Sequence, residues 1–235
     1  SLPRPDDLVR MMFAREEGVP VDTAALAARI RAAVAEVVRR QREAGLSVVN
    51  DGEVSKPSYA TYVKDRLHGF GGTSQALQYQ DLVDFPGVAK RVFDDPGRAR
   101  RRAPACDGPI GVRDARAPQT DVENLQSALG AGAEDAFLTA ASPGVISLFF
   151  RNDHYPSHEK YLAAVADAMR HEYETVAKAG IVLQIDCPDL AMGRHIQFAG
   201  LSLEEFRARA HLHVEALNHA VANIPADQLR IHLCW

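Results

Sequence analysis

Apolar positions recur along this chain at helical spacing, stop at a glycine, and are followed by a short, evenly apolar run. Leu26, Ile30, Val34, Val37 and Val38 form one such stripe, on the face that positions three and four apart share. Asp22 or Thr23 is placed to cap this helix, which is predicted to run to about Ala44. Gly45 then supplies the left-handed stop. Leu46 to Asn50 reads as a strand, with Asp51-Gly52-Glu53 at its carboxyl end. The unit returns at Ser157, with a stripe of Tyr161, Val165, Met169, Tyr173 and Val176, a stop at Gly180, and a strand from Ile181 to Asp186. A third helix opens at Ser202 with Glu205 three residues on, a capping box. Its predicted stripe is Phe206, Ala210, Val214, Leu217 and Val221, and the last strand runs from Leu229 to Cys234.

Two weaker strands are predicted at Pro104-Ala105-Cys106 and at Ala136 to Ala140, the second leading into Ser142-Pro143-Gly144. Residues 54–102 form a long excursion broken by Gly and Pro, with short helical pieces. Strand, crossover helix, strand implies parallel pairing, and evenly apolar strands imply a sheet covered on both faces. No Gly-rich phosphate loop follows a strand, which disfavours a dinucleotide-binding fold. The expected fold class is therefore α/β, a (β/α)8 TIM-type barrel in one domain spanning 1–235, with 54–102 as an insertion after an early strand. About five strands can be counted where a closed barrel takes eight. The expectation is thus an incomplete barrel, lacking its first strand and its last strands.

Composition narrows the partners. The 235 residues carry a formal charge of −4 and are 46% hydrophobic, which suits a large core and argues against nucleic acid. The basic run Arg98 to Arg102 reads as a solvated loop. No apolar stretch reaches the roughly 20 residues of a membrane span. Three widely spaced cysteines suggest a reducing, cytoplasmic setting with no disulfide framework. The expected partner is a small molecule, with homo-oligomerisation left open.

Barrel chemistry gathers at the carboxyl ends of strands. Those ends hold Asn50, Asp51 and Glu53, then Asp186, then His232 and Cys234. His232 and Cys234 lie two apart on a strand and so share a face, and imidazole and thiolate are the ligands zinc prefers. Each residue has a plainer role open to it. Glu53 can be turn chemistry, Asp186 a carboxylate paired near a buried strand, His232 a structural histidine, and Cys234 a small buried apolar group. Cys187 reads as filler, Cys106 has no sequence neighbour to act with, and seven of the other eight histidines, His158 and His213 among them, sit on helices or loops without ligand spacing.

Five segments together resemble the cobalamin-independent methionine synthase family, in particular its catalytic carboxyl-terminal barrel and stand-alone relatives. They are Ser1-Leu2-Pro3-Arg4-Pro5, Asn50-Asp51-Gly52-Glu53, Ser142-Pro143-Gly144, Gln184 to Leu190, and Ile231-His232-Leu233-Cys234-Trp235. The resemblance implies zinc-dependent transfer of a methyl group from 5-methyltetrahydrofolate, as its polyglutamate, to the thiol of homocysteine, giving methionine. It assigns His232 and Cys234 to the metal, with a Glu and a Cys beyond Trp235 completing the set. It assigns Ser1, Glu53 and Asp186 to the amino-acid substrate. Cys187 stands where methionine synthases carry an acidic residue, Phe149 where they carry Trp, and Val54-Ser55-Lys56-Pro57 departs from their pattern. These departures favour a stand-alone relative, a group that includes epoxyalkane:coenzyme M transferase. A non-catalytic barrel fragment, or a binder of a small ligand, is the alternative from another class.

Overall fold

In the computed structural model, residues 1–73, 77, 79–94, 103–130 and 135–234 are described. The basic run 98–102 and Trp235 lie outside the described residues. Helices α1 (Asp6–Glu16) and α2 (Thr23–Glu43) lead into β1 (Val48–Asn50). Then come α3 (Val63–Arg66), β2 (Leu67–Phe70), α4 (Pro86–Phe93), β3 (Cys106–Val112) and α5 (Ala117–Leu129). The chain continues through β4 (Asp135–Ala141), α6 (Pro143–Phe149), α7 (His158–Lys178), β5 (Val182–Asp186), α8 (Leu203–Ala220) and β6 (Leu229–His232).

The main sheet has the order β1-β4-β5-β6 and is parallel throughout. Its register runs Ala141 beside Asp186 beside His232, so the carboxyl ends of β4, β5 and β6 are level. The described strands form an open sheet, compatible with an incomplete barrel, and no closed barrel is formed among them. Expectation and structure part at Cys106. Of the predicted short strand at 104–106 only Cys106 lies in a strand, the first residue of β3, which runs on to Val112 and pairs antiparallel with β2 in a separate two-stranded sheet. Strand pairing is a tertiary choice that Pro104 and Gly108 do not reveal.

The strands are also less uniform than expected. Leu138, Ala140, Leu183 and Ile185 are buried against the helical layer. The alternate positions on the other face are Thr139, Gln184, Asp186, Arg230 and His232, because side chains alternate along a strand. One face is a core face and the other is lined by polar groups. Arg230 lies 3.8 Å over the Phe137 ring and donates to Gln184 Oε1 at 2.9 Å. Gln184 in turn donates to Asp186 Oδ1 at 2.8 Å.

The helices begin and end where their signals lie. Asp22 accepts from the Ala24 and Ala25 amides, and Gly45 has φ +80. Ser157 accepts from the Lys160 amide, and both halves of the Ser202–Glu205 capping box are formed. The stripe of α8 is displaced from the expected one. Phe206, His213, Leu217 and Ala220 are buried, whereas Val214 is exposed. A charged network ties the segment around α3 to the helical layer. Arg66 pairs with Asp121 of α5 and with Glu172 of α7 at 3.0 Å, and Tyr62 donates to Glu172 at 2.6 Å. No described helix is long and apolar enough to cross a membrane.

Candidate active site

The turn after β1 places three charged groups below the surface. Asp51, Glu53 and Lys56 are 2%, 6% and 3% exposed, values ionisable side chains reach only when partnered. Glu53 has φ +56, a conformation that costs a non-glycine residue about 1–3 kcal/mol. Its backbone is held by a bond from the Glu53 amide to Asp51 Oδ1 at 3.0 Å and by Arg4, which donates to the Glu53 carbonyl at 2.9 Å. The strain aims the carboxylate along the strand ends. Glu53 Oε2 accepts from Ser1 Oγ at 2.6 Å and lies 3.2 Å from the Ser1 amino nitrogen, while Oε1 accepts from Thr139 of β4. Lys56 donates to the Thr139 carbonyl and lies 4.4 Å over the Tyr62 ring.

These contacts settle the charge states. Burial pushes the Glu53 carboxyl up, but the Lys56 charge and the bonds from Ser1 and Thr139 outweigh it and hold the group at about 2. Asp51 goes the other way. Burial, only partly offset by Lys56, lifts it to about 6. Asp186 is also raised, by burial first, with the Glu53 charge adding to the rise and Gln184, His232 and Lys56 opposing it. Asp186 therefore feels Glu53 on one side and His232 on the other, at strand ends that span two spacings or about 10 Å from β4 to β6.

Ser1, Glu53 and Asp186 meet at one mouth, and His232 joins them through its register with Asp186. Cys234 sits just beyond β6; its side chain, like that of His232, is exposed. Tyr59 links it to Asp186: burial first raises the Tyr59 hydroxyl, and Tyr79, Cys234, Asp186 and Asp189 each add to the rise. Tyr59 packs edge-on against Phe149 at 5.8 Å. Cys187 is buried, its thiol pushed up to about 12 by burial, and its amide donates to the His232 carbonyl at 2.8 Å.

Zinc takes three or four protein ligands. Among the described residues no group of three or more His, Cys, Asp or Glu side chains is gathered as a metal cage. The donor chemistry of His232 and Cys234 fits zinc, but the two supply only part of a set. Lys56, Tyr59 and Thr139 are members of this site that the sequence did not announce. Lys56 and Tyr59 sit in the aperiodic excursion, and Thr139 lies within an apolar strand where the polar face was not foreseen.

A parallel sheet backed by helices, with carboxylates and an imidazole at its strand ends, defines an α/β protein whose described strands form an open sheet compatible with an incomplete barrel. Solved structures of B12-independent methionine synthases share this fold. The enzyme from Shewanella sp. W3-18-1, in complex with selenomethionine, superimposes with a TM-score of 0.67 at 18% identity, over 92% of this chain and 54% of that one. The putative enzyme from Listeria monocytogenes also gives 0.67, at 19% identity, over 100% of this chain and 63% of that one. The chain thus spans less than two thirds of either structure. No family model matches the sequence, and no curated protein does.

Proposed function

We propose that this chain carries part of the catalytic barrel of a thiol methyltransferase of the methionine-synthase type, forming methionine from homocysteine with methyl-tetrahydrofolate as donor. The observation that carries the reading is the convergence of Glu53 and Asp186 on the strand end that also bears His232. In this reading His232 and Cys234 contribute two ligands to zinc. Zinc, when bound, would hold the substrate sulfur as a thiolate, which a free thiol with a pKa near 8.5 is not at neutral pH.

The chain's own residues do the positioning. Glu53 is ionised at neutral pH and already accepts from the hydroxyls of Ser1 and Thr139, so its oxygens suit a substrate ammonium. Asp186 offers a second carboxylate one strand away, oriented by Gln184. Two carboxylates at one end of an amino acid fix where its thiol lies, an orientation effect worth several orders of magnitude in rate. Neither needs to move a proton.

The intact protein, supplied with methyl-tetrahydrofolate and homocysteine, should form methionine and should lose that activity on chelation. Activity with an epoxide and coenzyme M in place of that pair supports the second reading, a zinc-dependent alkyl transfer to another thiol. The departures at Cys187, Phe149 and 54–57 favour that alternative. Absence of both activities in metal-loaded intact protein would leave a ligand-binding barrel and would sink the transferase reading.

A further inference from the structure

Four side chains form a hydrogen-bonded line that the strand-end site does not use. Ser142 Oγ donates to Asp189 Oδ1 at 2.8 Å, Asp189 Oδ2 lies 2.8 Å from His213 Nδ1, and His213 Nε2 lies 2.9 Å from His158 Nε2. Ser142, Asp189 and His213 are buried. A carboxylate only accepts, so the proton of the first His213 contact sits on Nδ1. With both rings neutral, His213 Nε2 is then a bare acceptor and His158 must donate from its own Nε2. That leaves the His158 Nδ1 lone pair, which makes no hydrogen bond among the described residues. Burial, the neighbouring His213 and Arg209 all hold His158 below the ordinary imidazole range, at about 4, with Glu159 alone opposing them. The ring is neutral at physiological pH.

His158 lines a cavity of about 320 Å3, with Phe149, Leu77 and Gln197 among the other walls. Gln197 Nε2 donates to the Ser147 carbonyl at 3.0 Å. Because a carbonyl cannot donate, this orients the amide and leaves Oε1 as a buried acceptor with no partner among the described residues. Two acceptors that have no donor among the described residues thus sit on side chains lining one cavity. Arg151 on the wall and Arg209 beside His158 disfavour a cation there, and a pair of acceptors disfavours an anion.

We propose that this cavity is a binding site for a small neutral molecule with two hydrogen-bond donors, one received by His158 Nδ1 and the other by Gln197 Oε1, with an apolar flank against Phe149 and Leu77. Asp189 and His213 are positioning residues that set the His158 tautomer. The proposal is independent of the metal and of the methyl-transfer reading.

Phenylurea, which is neutral, flat and rich in N–H donors, is the probe. Histidine-labelled full-length chain is titrated with it by proton–nitrogen NMR between pH 5 and 8. Without probe, His158 should show the Nε2–H tautomer across this range. Phenylurea should shift the His158 Nδ1 resonance saturably. Gln197→Leu should weaken that binding about tenfold, the effect of one lost hydrogen bond, with an unchanged melting temperature. Asp189→Asn should convert His158 to mixed tautomers. A titration that does not saturate, which is the outcome for a merely structural histidine pair or a cavity that holds only water, overturns the proposal. So does equal affinity in the Gln197→Leu chain, or an Nδ1–H tautomer in the parent chain.

Discussion

Gly144 and Asp51 show how single residues set limits on this site. A Cβ on Gly144 would lie 1.9 Å from Asp189 Oδ2 and 2.5 Å from His213 Nδ1. The start of α6 therefore approaches the Asp189–His213 pair more closely than any side chain permits. Gly144→Ala should destabilise the protein by at least about 2 kcal/mol, as overpacking does in a rigid core, measured by urea denaturation; a change under 0.5 kcal/mol, by the same scale of surface substitutions, would refute the close approach. Asp51 makes a pH prediction. Its folded value of about 6 lies above its ordinary value of 3.8, so the folded state binds more protons than the unfolded one between those values. Its contribution to stability is present below about pH 4 and is lost as pH rises through 6. Asn preserves the acceptor for the Glu53 amide and has no charge to bury. The stability of Asp51→Asn relative to wild type should therefore rise by about 1–3 kcal/mol from pH 4 to pH 7.5. The slope is the test, because a constant offset from the new amide hydrogens does not vary with pH.

At the scale of elements, charge holds α3, α5 and α7 together where the excursion meets the helical layer. Arg66 is almost wholly enclosed, and its removal leaves Asp121 and Glu172 without their common cation. Arg66→Met should cost about 3–5 kcal/mol by chemical denaturation, the penalty for breaking a buried pair from one side. A loss below 1 kcal/mol would mean that water reaches these carboxylates. The capping box of α8 is a milder, local device. Ser202→Ala should lower stability by about 1 kcal/mol, with His213 and the rest of the buried stripe left in place. Apolarity places Val214 rather than His213 in the stripe of α8, but the Asp189 carboxylate on the loop after β5 makes His213 the better buried residue. A polar residue gains a core position only through a partner that is distant in sequence.

For the molecule as a whole, the level carboxyl ends of β4, β5 and β6 decide what the site can do. If Glu53 and Asp186 bind a substrate ammonium, Glu53→Gln and Asp186→Asn in the intact protein should each reduce kcat/KM for homocysteine about ten- to a hundredfold, the scale of one charged hydrogen bond. A thiol of the same length without the amino group should be used equally by wild type and both variants. Equal losses with the two thiols would show that the carboxylates act on the sulfur or the metal instead. In the same protein, Cys234→Ser should weaken zinc binding and Cys187→Ser should not, read by competition with a chelating dye.

The caps, the glycine stops, three long helices, the strand ends at Asn50 and Asp186 and the start of the last strand at Leu229 were legible along the chain, because they rest on local periodicity and on side chains bonding to backbone within a few residues; that strand ends at His232, two residues before the expected Cys234. Glu53, Asp186, His232 and Cys234 were legible as candidates for the same reason: strand ends can be located from pattern alone. Tertiary structure alone decided that Cys106 joins β2 in an antiparallel pair, that Thr139, Gln184, Asp186 and Arg230 share one face of the sheet, and that Lys56 and Thr139 bear on Glu53 while Tyr59 lies near Asp186. It alone joined Ser142, Asp189, His213 and His158 into one line. Those outcomes depend on contacts between residues tens of positions apart, where the energy of burying a charge or a polar atom is set by a partner that no local pattern names.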